Sequence, residues 1–378
     1  MDNPFQKIVD MGKSIFTSSG SSSDSAVGID IGTSAIKIVQ IKKKGGKAVL
    51  ETYGSIALGP YADMEIGRVT NLEIEKTILA LKEVLKQSGV TTTSSALSIP
   101  SQSSLIFLID LPATVRESDL KDIIPTEARK YIPVPIDEVS LDYFILPRKQ
   151  SSFEESNNPD LPERDAEKIE VLVVAIQNET ISKYQTIVKQ CDFVADFFEL
   201  EIFSAVRANF EHELSPVLMI DFGAYKTKLS IVEFGSVKSF HTINRGGADI
   251  TESISKSLSI PFAKAEEMKK EFGLLDNPLE KSLPEIIKSH TDYVFSETNS
   301  VLLNYEKKYN KTISKIILTG GGTLLKGFKE SAVSTFPVEV VTGNPFAKVG
   351  APAFLEKVLV STGPEFAIAL GLALRKLQ

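Results

Sequence analysis

Two stretches of the chain carry three residue types at the same spacing: an aspartate, a glycine two positions later, and a lysine seven positions after the aspartate. They are Asp30, Gly32 and Lys37 in the first stretch and Asp221, Gly223 and Lys228 in the second. The flanking apolar residues keep the same register, as Ile29 and Ile220 do. A single Asp-x-Gly turn is common, whereas one strand–turn–strand pattern repeated at a constant offset favours an internal duplication.

The chemistry that suits such a turn is the binding of an anion. A glycine directly after a buried strand lets backbone N–H groups approach a phosphate with no side chain in the way. Thr33 and Ser34 add hydroxyl groups to the first turn, and Lys37 either faces the phosphates or stands in solvent on its strand. If the two hairpins face each other, Asp30 and Asp221 can hold a hydrated Mg²⁺, which takes few protein ligands.

A third segment supports a nucleotide as the anion. The apolar strand KIILTG leads into three consecutive glycines, Gly320, Gly321 and Gly322. Duplicated hairpins followed by a strand and a glycine triplet favour a nucleotide clamped between two halves of the chain over two ordinary turns.

Composition limits the alternatives. The chain has 378 residues, of which 42% are hydrophobic and 24% charged, so it is long enough for two or three globular domains. A net charge of −7 argues against a nucleic acid as the main partner. The single cysteine, Cys191, excludes a disulfide framework, and His212, His241 and His290 have no spacing typical of a zinc site. No run of about 18 apolar residues predicts a membrane span, so a cytoplasmic location is expected.

Local patterns predict the elements that position these turns. Thr70 and Glu73 have the spacing of a capping box at the start of an amphipathic helix. Residues 96–109 have strand character, and a long amphipathic helix is expected over 284–309 with Ser282 as its cap. We expect the core of each half to be a strand series covered by such helices.

Two segments differ from this body in composition. Residues 1–16 have apolar residues at helical spacing and precede a Ser-rich linker over 17–25. This pattern indicates either a frayed terminus or a helix that docks on a partner or lies on a membrane surface. Residues 103–190 form a separate strand-and-helix region that contains a polar stretch over 147–168, predicted to be a long mobile loop.

The order of these motifs resembles the actin-like ATPase superfamily, which includes actin, Hsp70, sugar kinases, MreB and FtsA. Within it the chain is most similar to the PilM family of type IV pilus assembly. The segments that carry the resemblance are GIDIGTSAIKIVQI, EARKYIPVPIDEVSLDY, IDFGA, AEEMKKEFG, ILTGGGTLLKGF and NPFAKV. The resemblance spans residues 27–374 and implies an α/β, actin-like ATPase fold, with two lobes of duplicated sheet-and-helix domains and an FtsA-like 1C subdomain.

The resemblance also implies a division into subdomains, after an N-terminal amphipathic segment and linker over 1–25. Subdomain 1A would comprise 26–102, 191–215 and 360–378, and subdomain 1C would comprise 103–190. Subdomain 2A would comprise 216–245 and 312–359, and subdomain 2B would comprise 246–311.

Site roles follow from the resemblance, residue by residue, for ATP with Mg²⁺ as the expected cofactors. The metal would lie at Asp30 and Asp221. The phosphates would lie at Gly32, Thr33, Ser34 and Lys37 in the first turn and at Gly223 and Ala224 in the second. The adenosine would lie at Glu266, Lys269, Gly320, Gly321 and Gly322. Glu201 would stand near the attacking water, although the register could favour Glu199 instead.

Plainer interpretations remain open for some of these residues. Glu266 and Lys269 have the spacing of an ion pair on an exposed helix, and Glu201 could be a solvated residue. Tyr225 places a bulky side chain in the second turn, where several relatives have a small one, so the protein is expected to be a slow ATPase at most.

The PilM resemblance implies a partner as well. It is the N-terminal cytoplasmic peptide of the inner-membrane protein PilN, held in a groove of subdomains 1A and 1C. Residues 120–143 are the part of subdomain 1C most expected to contribute to this groove. The resemblance also implies contacts with pilus ATPases, association with the membrane through the partner, and self-association. An FtsA-like filament protein of cell division and an actin-superfamily sugar kinase are the alternatives, although no catalytic aspartate of a kinase can be assigned.

Overall fold

The computed structural model describes residues 24–147, 168–211, 213–275 and 280–377. The N-terminal amphipathic segment, most of its linker, most of the long polar loop and His212 therefore lie outside the described residues. The chain divides into two compact units. Among the described residues, one unit is formed within Pro100–Tyr184, and the other is formed by the residues of 24–99 and 185–377.

The larger unit contains two five-stranded sheets. The first has the strand order β3-β2-β1-β4-β8 and the second has the order β11-β10-β9-β12-β13. The strands of the first sheet are β1 (Ser25–Ile31), β2 (Ala35–Lys44), β3 (Lys47–Ala57), β4 (Ser94–Ile99) and β8 (Val194–Leu200). The strands of the second sheet are β9 (Val217–Phe222), β10 (Thr227–Glu233), β11 (Ser236–Ile243), β12 (Lys315–Thr319) and β13 (Glu339–Thr342).

The two sheets are duplicates in topology and in register. In each sheet the first three strands are antiparallel neighbours, and the remaining two run parallel to the first strand. Asp30 lies opposite Lys37 in the first hairpin, and Asp221 lies opposite Lys228 in the second. The predicted duplication is therefore confirmed at the level of individual residue pairs.

Helices cover the sheets of the larger unit. In chain order they are α1 (Ile74–Gln87), α4 (Glu201–Asn209), α5 (Gly247–Leu258), α6 (Phe262–Phe272), α7 (Leu283–Tyr309), α8 (Phe328–Thr335), α9 (Glu356–Thr362) and α10 (Ala367–Leu377). A further helix, α3 (Asn178–Gln190), begins in the smaller unit and ends in the larger one. The second sheet packs on α7 and α8 through the rings of Phe222, Phe295 and Phe328, whose centroids are 5.1 and 5.3 Å apart. Burial of such aromatic side chains is a main source of core stability.

Helix α10 is packed closely against the first sheet. A side chain at Gly28 would collide with the backbone carbonyl of Ala369, and one at Gly371 would collide with that of Ser204 in α4. Only glycine permits two backbones to approach in this way. Helix α10 therefore packs between β1 and α4, in backbone contact with both.

Within its described residues, the smaller unit contains a three-stranded antiparallel sheet, the helix α2 (Leu120–Ala128) and the first part of α3. Strands β5 (Ser104–Pro112), β6 (Val139–Ile145) and β7 (Lys168–Gln177) have the order β5-β7-β6. Helix α2 contains Pro125 and buries Leu120 and Ile124 on the sheet. Since β7 is central, β5 and β6 each have one sheet neighbour within the described residues.

The strand character predicted over 96–109 is confirmed, although it belongs to two strands, because Pro100 ends β4 before a short turn and β5. Two other local predictions were wrong. Thr70 does not cap α1, since its hydroxyl and its N–H both donate to the carbonyl of Thr33. Ser282 precedes α7 without a side-chain cap, because its hydroxyl donates to Glu280 instead.

One stretch of the described residues, Ala353–Leu377, is long and apolar enough to cross a membrane. The apolar 18-residue window of this stretch is 67% buried within the protein. A short turn over Gly363–Phe366 divides the stretch into α9 and α10. This is the pattern of a core segment, which the same composition also produces.

Candidate functional site

The first turn, between β1 and β2, is arranged to present backbone N–H groups. Gly32 donates its N–H to the carbonyl of Ala35 at 3.1 Å, which closes the turn. The carbonyls of Thr33 and Ser34 accept hydrogen bonds from the N–H groups of Thr70 (2.8 Å) and Leu58 (2.9 Å). Within the described residues, the N–H groups of Thr33 and Ser34 donate to no backbone acceptor. Two donors therefore remain for an anion at the place where the sequence predicts phosphates.

The second turn repeats this arrangement with different partners. Gly223 donates its N–H to the carbonyl of Lys226 at 3.0 Å. The carbonyls of Gly223 and Ala224 accept from the N–H groups of Gly247 and Ala248, both at 2.9 Å. Since Gly247 and Ala248 begin α5, the N-terminus of that helix lies beside the turn, and its dipole favours negative charge there.

A buried charged cluster lies between the two hairpins. The Lys228 ammonium is 2.7 Å from Oε2 of Glu201 and 3.3 Å from Oδ2 of Asp221. Asp30 accepts a hydrogen bond from the Ser98 hydroxyl at 2.8 Å. Burial raises the pKa of Asp30, and the nearby Glu201 raises it further, although Lys37 and Lys228 oppose the shift. Residues from both sheets and from α4 thus meet at one point.

Glu199 has a different environment from Glu201. It accepts hydrogen bonds from Arg207 at 2.6 and 2.7 Å, from Arg375 at 2.7 Å, and from the Ser204 hydroxyl at 2.5 Å. Burial alone would raise the pKa of Glu199, but the two guanidinium groups outweigh it and lower the pKa to about 2. Glu199 therefore ties α4 to α10, whereas Glu201 is the carboxylate beside Asp30 and Lys228. The predicted role of Glu201 toward water stays a prediction.

Glu266 and Lys269 form an ion pair, but not an exposed one. Their closest atoms are 2.6 Å apart, and the side chains are only 10% and 12% exposed. Lys269 also donates to the Thr251 hydroxyl (2.8 Å) and to the carbonyl of Gly247 (3.0 Å). The interpretation as a solvated surface pair is therefore wrong. The pair is linked through Gly247 to the second phosphate turn.

A loop from the first sheet covers this pair. Gly67, at a φ of +93°, lies against the side chain of Glu266. The next residue, Arg68, donates to Glu252 at 2.8 Å and stacks on the ring of Phe262, 4.0 Å from its centroid. The same loop returns through Thr70 to the first turn. The loop therefore connects the first phosphate turn to the predicted adenosine residues.

The glycine triplet closes the other side. Gly320, at a φ of +84°, donates its N–H to the carbonyl of Pro364 at 2.9 Å and adjoins the carboxylate of Asp221. Gly322 lies against the ring of Phe222, and Gly321 lies beside the half-buried Glu365. Burial raises the pKa of Glu365, while Lys37 and Lys270 are near enough to oppose that shift.

The predicted site residues are thus linked by contacts into one continuous region of the larger unit. Sequence reasoning named Lys228 in the repeat without giving it a role in the site, and it missed Gly67, Arg68 and Glu365. The constant offset between the repeats gave a signal for Lys228, because it occupies the position of Lys37. No signal marked the other three, since only tertiary packing brings them to the site.

The residues present fit a nucleotide better than they fit a directly bound metal ion. Both turns have N–H donors, and Lys37 makes no ion pair within the described residues. In the same part of the chain, no three His, Cys, Asp or Glu side chains are arranged to hold a metal. Asp221 is already paired with an ammonium group. A Mg²⁺ at Asp30 and Asp221 stays a prediction, and in this geometry Lys228 would have to move for direct ligation.

Comparison with known proteins gives a consistent result. The family model described as "Type IV pilus assembly protein PilM" matches residues 28–377. The solved PilM–PilN type IV pilus biogenesis complex has a chain 24% identical to this one, covering 95% of this chain and 100% of that chain with a TM-score of 0.78. The ethanolamine utilization protein EutJ of Carboxydothermus hydrogenoformans is 17% identical, covering 98% and 97%, with a TM-score of 0.51.

Curated relatives include cell division protein FtsA. The Pseudomonas aeruginosa FtsA is 24% identical over 375 residues, which are 89% of this chain and 87% of the relative. The FtsA of Buchnera aphidicola is 24% identical over 362 residues, which are 84% and 83%. These likenesses, together with the duplicated sheets, confirm the predicted actin-like α/β fold. By the match to nearly its whole length, the chain belongs to the PilM family of type IV pilus assembly proteins.

Proposed function

We propose that this protein is a nucleotide-binding adaptor of type IV pilus assembly. It would bind ATP in the cleft between the two hairpins and hold the N-terminal cytoplasmic peptide of a PilN-type membrane protein on its smaller unit. Membership of the PilM family supports the pilus role. The observation that carries the nucleotide role is the duplicated turn, in which occupied carbonyls leave N–H groups for phosphate oxygens.

In this proposal each part of the chain has a defined task. The N–H groups of the two turns and the Lys37 ammonium bind phosphate oxygens. Glu266 and the loop at Gly67 orient the adenosine. A bound triphosphate supplies the bond that can be hydrolysed. Because Glu201 is paired with the Lys228 ammonium at 2.7 Å, its carboxylate is a weaker acceptor for a proton from water than an unpaired one would be. Slow turnover at most is therefore expected.

The peptide is assigned to the region of residues 120–143. Strand β6 has one sheet neighbour among the described residues, so its other edge offers backbone groups to an extended peptide. Tyr131 is 49% exposed and stacks on Phe107 with ring centroids 4.7 Å apart. Phe107 belongs to β5, at the opposite edge of this sheet from β6, so the ring and the β6 edge are two separate features of the smaller unit. An exposed aromatic ring is the kind of anchor that peptide interfaces use.

A titration with peptide tests this role. A labelled peptide with the N-terminal cytoplasmic sequence of the PilN partner is added to the protein, with and without ATP, and fluorescence anisotropy is measured. Binding is expected, and Tyr131→Ala should weaken it by about tenfold, since truncation of an aromatic anchor costs 1 kcal/mol or more. Tyr293→Ala, at a tyrosine that is 46% exposed in the larger unit, is the matched control. An absence of peptide binding under every condition would refute the adaptor role.

The adaptor proposal implies a location at the inner face of the cytoplasmic membrane through the partner, with pilus ATPases as further contacts. The FtsA relatives support one second candidate, an FtsA-like protein that self-associates into filaments. Sedimentation of the full chain with ATP separates the two. A nucleotide-dependent pellet without any peptide affinity would favour the filament, whereas a soluble species that binds peptide favours the adaptor.

A further inference from the structure

Lys228 is the central charge of the cleft. Its ammonium joins Glu201 at 2.7 Å to Asp221 at 3.3 Å, and it also interacts with the buried Asp30. Its side chain is only 17% exposed, and those of Glu201 and Asp221 are 10% exposed. Two carboxylates therefore pair with one ammonium group, and Asp30 is near enough to interact with it electrostatically, in a place where an unpaired charge would be strongly destabilising.

The duplicated partner, Lys37, behaves differently. Both lysines lie opposite the aspartate of their hairpin in the same register. Within the described residues Lys37 makes no ion pair, and Asp30 is hydrogen-bonded to Ser98 instead. The duplication has thus placed two lysines at equivalent positions. Within the described residues only Lys228 makes ion pairs in the acidic cluster, whereas Lys37 acts on Asp30 through its charge alone.

This arrangement conflicts with a divalent ion held directly by the same carboxylates. Mg²⁺ needs oxygen ligands at about 2.0–2.1 Å and near-octahedral geometry. An ion ligated by Asp221 would stand within a few ångströms of the Lys228 ammonium, and the two positive charges would repel strongly at low dielectric. Two buried carboxylates, 2.7 and 3.3 Å from this ammonium group, favour its charged form.

The ammonium also has bonding capacity left. A lysine has three N–H donors, and the described residues accept two hydrogen bonds from Lys228, through Glu201 and Asp221. The remaining donor can reach a phosphate oxygen of a nucleotide that lies between the hairpins. One side chain can thus neutralise the carboxylates and contact the ligand at once.

We propose that Lys228 is the built-in cation of this cleft, so that the chain binds a nucleoside triphosphate with little dependence on Mg²⁺. The inference rests on the proposed nucleotide binding. It adds that the monovalent ammonium on β10 supplies charge that a divalent ion would otherwise supply. Removing the ammonium should convert the protein into one whose affinity depends on the metal.

The first test is a titration with a fluorescent ATP analogue in excess EDTA and in millimolar Mg²⁺. For the unmodified protein the two dissociation constants should agree within about threefold. In Lys228→Met the affinity in EDTA should fall at least about tenfold below that in Mg²⁺. Lys228→Arg should behave as the unmodified protein does. Lys37→Met, the matched control, should lose affinity about equally in both buffers.

The second test needs no nucleotide. Mn²⁺, a paramagnetic probe for Mg²⁺, is added to each protein, and the electron paramagnetic resonance signal of the free ion is measured. The unmodified protein should leave that signal unchanged, whereas Lys228→Met should reduce it by binding the ion. Circular dichroism checks that each variant is folded. If Lys228→Met does not fold, the same two measurements on Lys228→Gln and on the unmodified protein test the inference.

The outcomes separate the inference from the function on which it rests. Binding of the analogue only with Mg²⁺, together with uptake of Mn²⁺ by the unmodified protein, overturns the inference while nucleotide binding stands. Failure to bind the analogue in either buffer overturns the proposed nucleotide function. In that case the Mn²⁺ comparison alone still shows whether Lys228 excludes a divalent ion.

Discussion

Gly67 lies directly against the carboxyl group of Glu266: a β-carbon at Gly67 would stand 2.9 Å from Cδ of Glu266. Gly67 belongs to the loop that follows the first sheet, and Glu266 belongs to α6. With the Arg68–Glu252 ion pair beside it, this contact joins the two halves of the larger unit above the predicted adenosine residues. Gly67 therefore combines a positive φ with a close approach of its backbone to the Glu266 side chain.

Gly67→Ala should destabilise the protein by about 2–3 kcal/mol, because it adds a steric conflict to the cost of a left-handed alanine. Urea denaturation measures the change. Gly46→Ala is the control: Gly46 also has a positive φ, +77°, but no atom lies within 4 Å of the added carbon. It should cost only about 1 kcal/mol. Equal losses in the two variants would show that the contact with Glu266 is unimportant.

Lys37→Met should weaken binding of ATP by about 10–100-fold, since a hydrogen bond to a charged group contributes about 1.5–3 kcal/mol. Isothermal titration calorimetry measures the affinity. Lys44→Met, at an exposed lysine near the far end of the same strand, should leave it unchanged. An equal effect of both substitutions would point to general electrostatics and away from a phosphate contact.

Glu365→Gln should strengthen the binding of ATP several-fold. Glu365 is half-buried beside Gly321 and close to Lys37, so its ionised form opposes the approach of phosphates. Competition between labelled and unlabelled ATP measures the difference. Glu356→Gln, at an exposed glutamate in α9, serves as the reference, and weaker binding by Glu365→Gln would mean that this carboxylate contacts the ligand favourably.

Acid should destabilise the protein through Glu199. Its pKa is about 2 in the folded protein and 4.5 as an ordinary value, so the unfolded chain takes up a proton first as the pH falls. The stabilisation, about 3 kcal/mol, is complete above pH 4.5 and is lost as the pH falls toward 2. Urea denaturation at several pH values measures this loss.

Glu199→Gln should be about 3–5 kcal/mol less stable at neutral pH, because Arg207 and Arg375 lose their buried counter-charge. It should also lose less stability in acid than the unmodified protein does. Glu330→Gln, at an exposed glutamate of α8, should keep the original pH dependence. An unchanged acid profile in Glu199→Gln would assign the acid sensitivity to other groups.

Spacing predicted the two duplicated hairpins because each hairpin is local in sequence, whereas the actin-like fold was predicted from the resemblance to the PilM family. Each Asp–Lys pair is fixed by a hairpin, so the spacing of seven residues already placed Lys37 opposite Asp30. Pairing between distant segments could not be predicted in this way. Thr70 has the sequence of a helix cap, yet it donates to Thr33 instead, since the loop must satisfy the carbonyl of the first turn. Likewise, nothing in the order of residues indicated that Gly67 covers Glu266.

Helix α4 is fastened to the second sheet at both of its ends. Its first residue, Glu201, meets Lys228, and its last residue, Asn209, donates to the Thr319 hydroxyl at 3.2 Å. With nine residues the helix is about 12 Å long, so the two attachments define a short axis. If the two hairpins move apart, the two sheets must either rotate relative to each other about this axis or lose one of the contacts, Glu201–Lys228 or Asn209–Thr319. Because Glu201 is itself part of the charged cluster, a ligand that displaces it from Lys228 would free one end of the pivot.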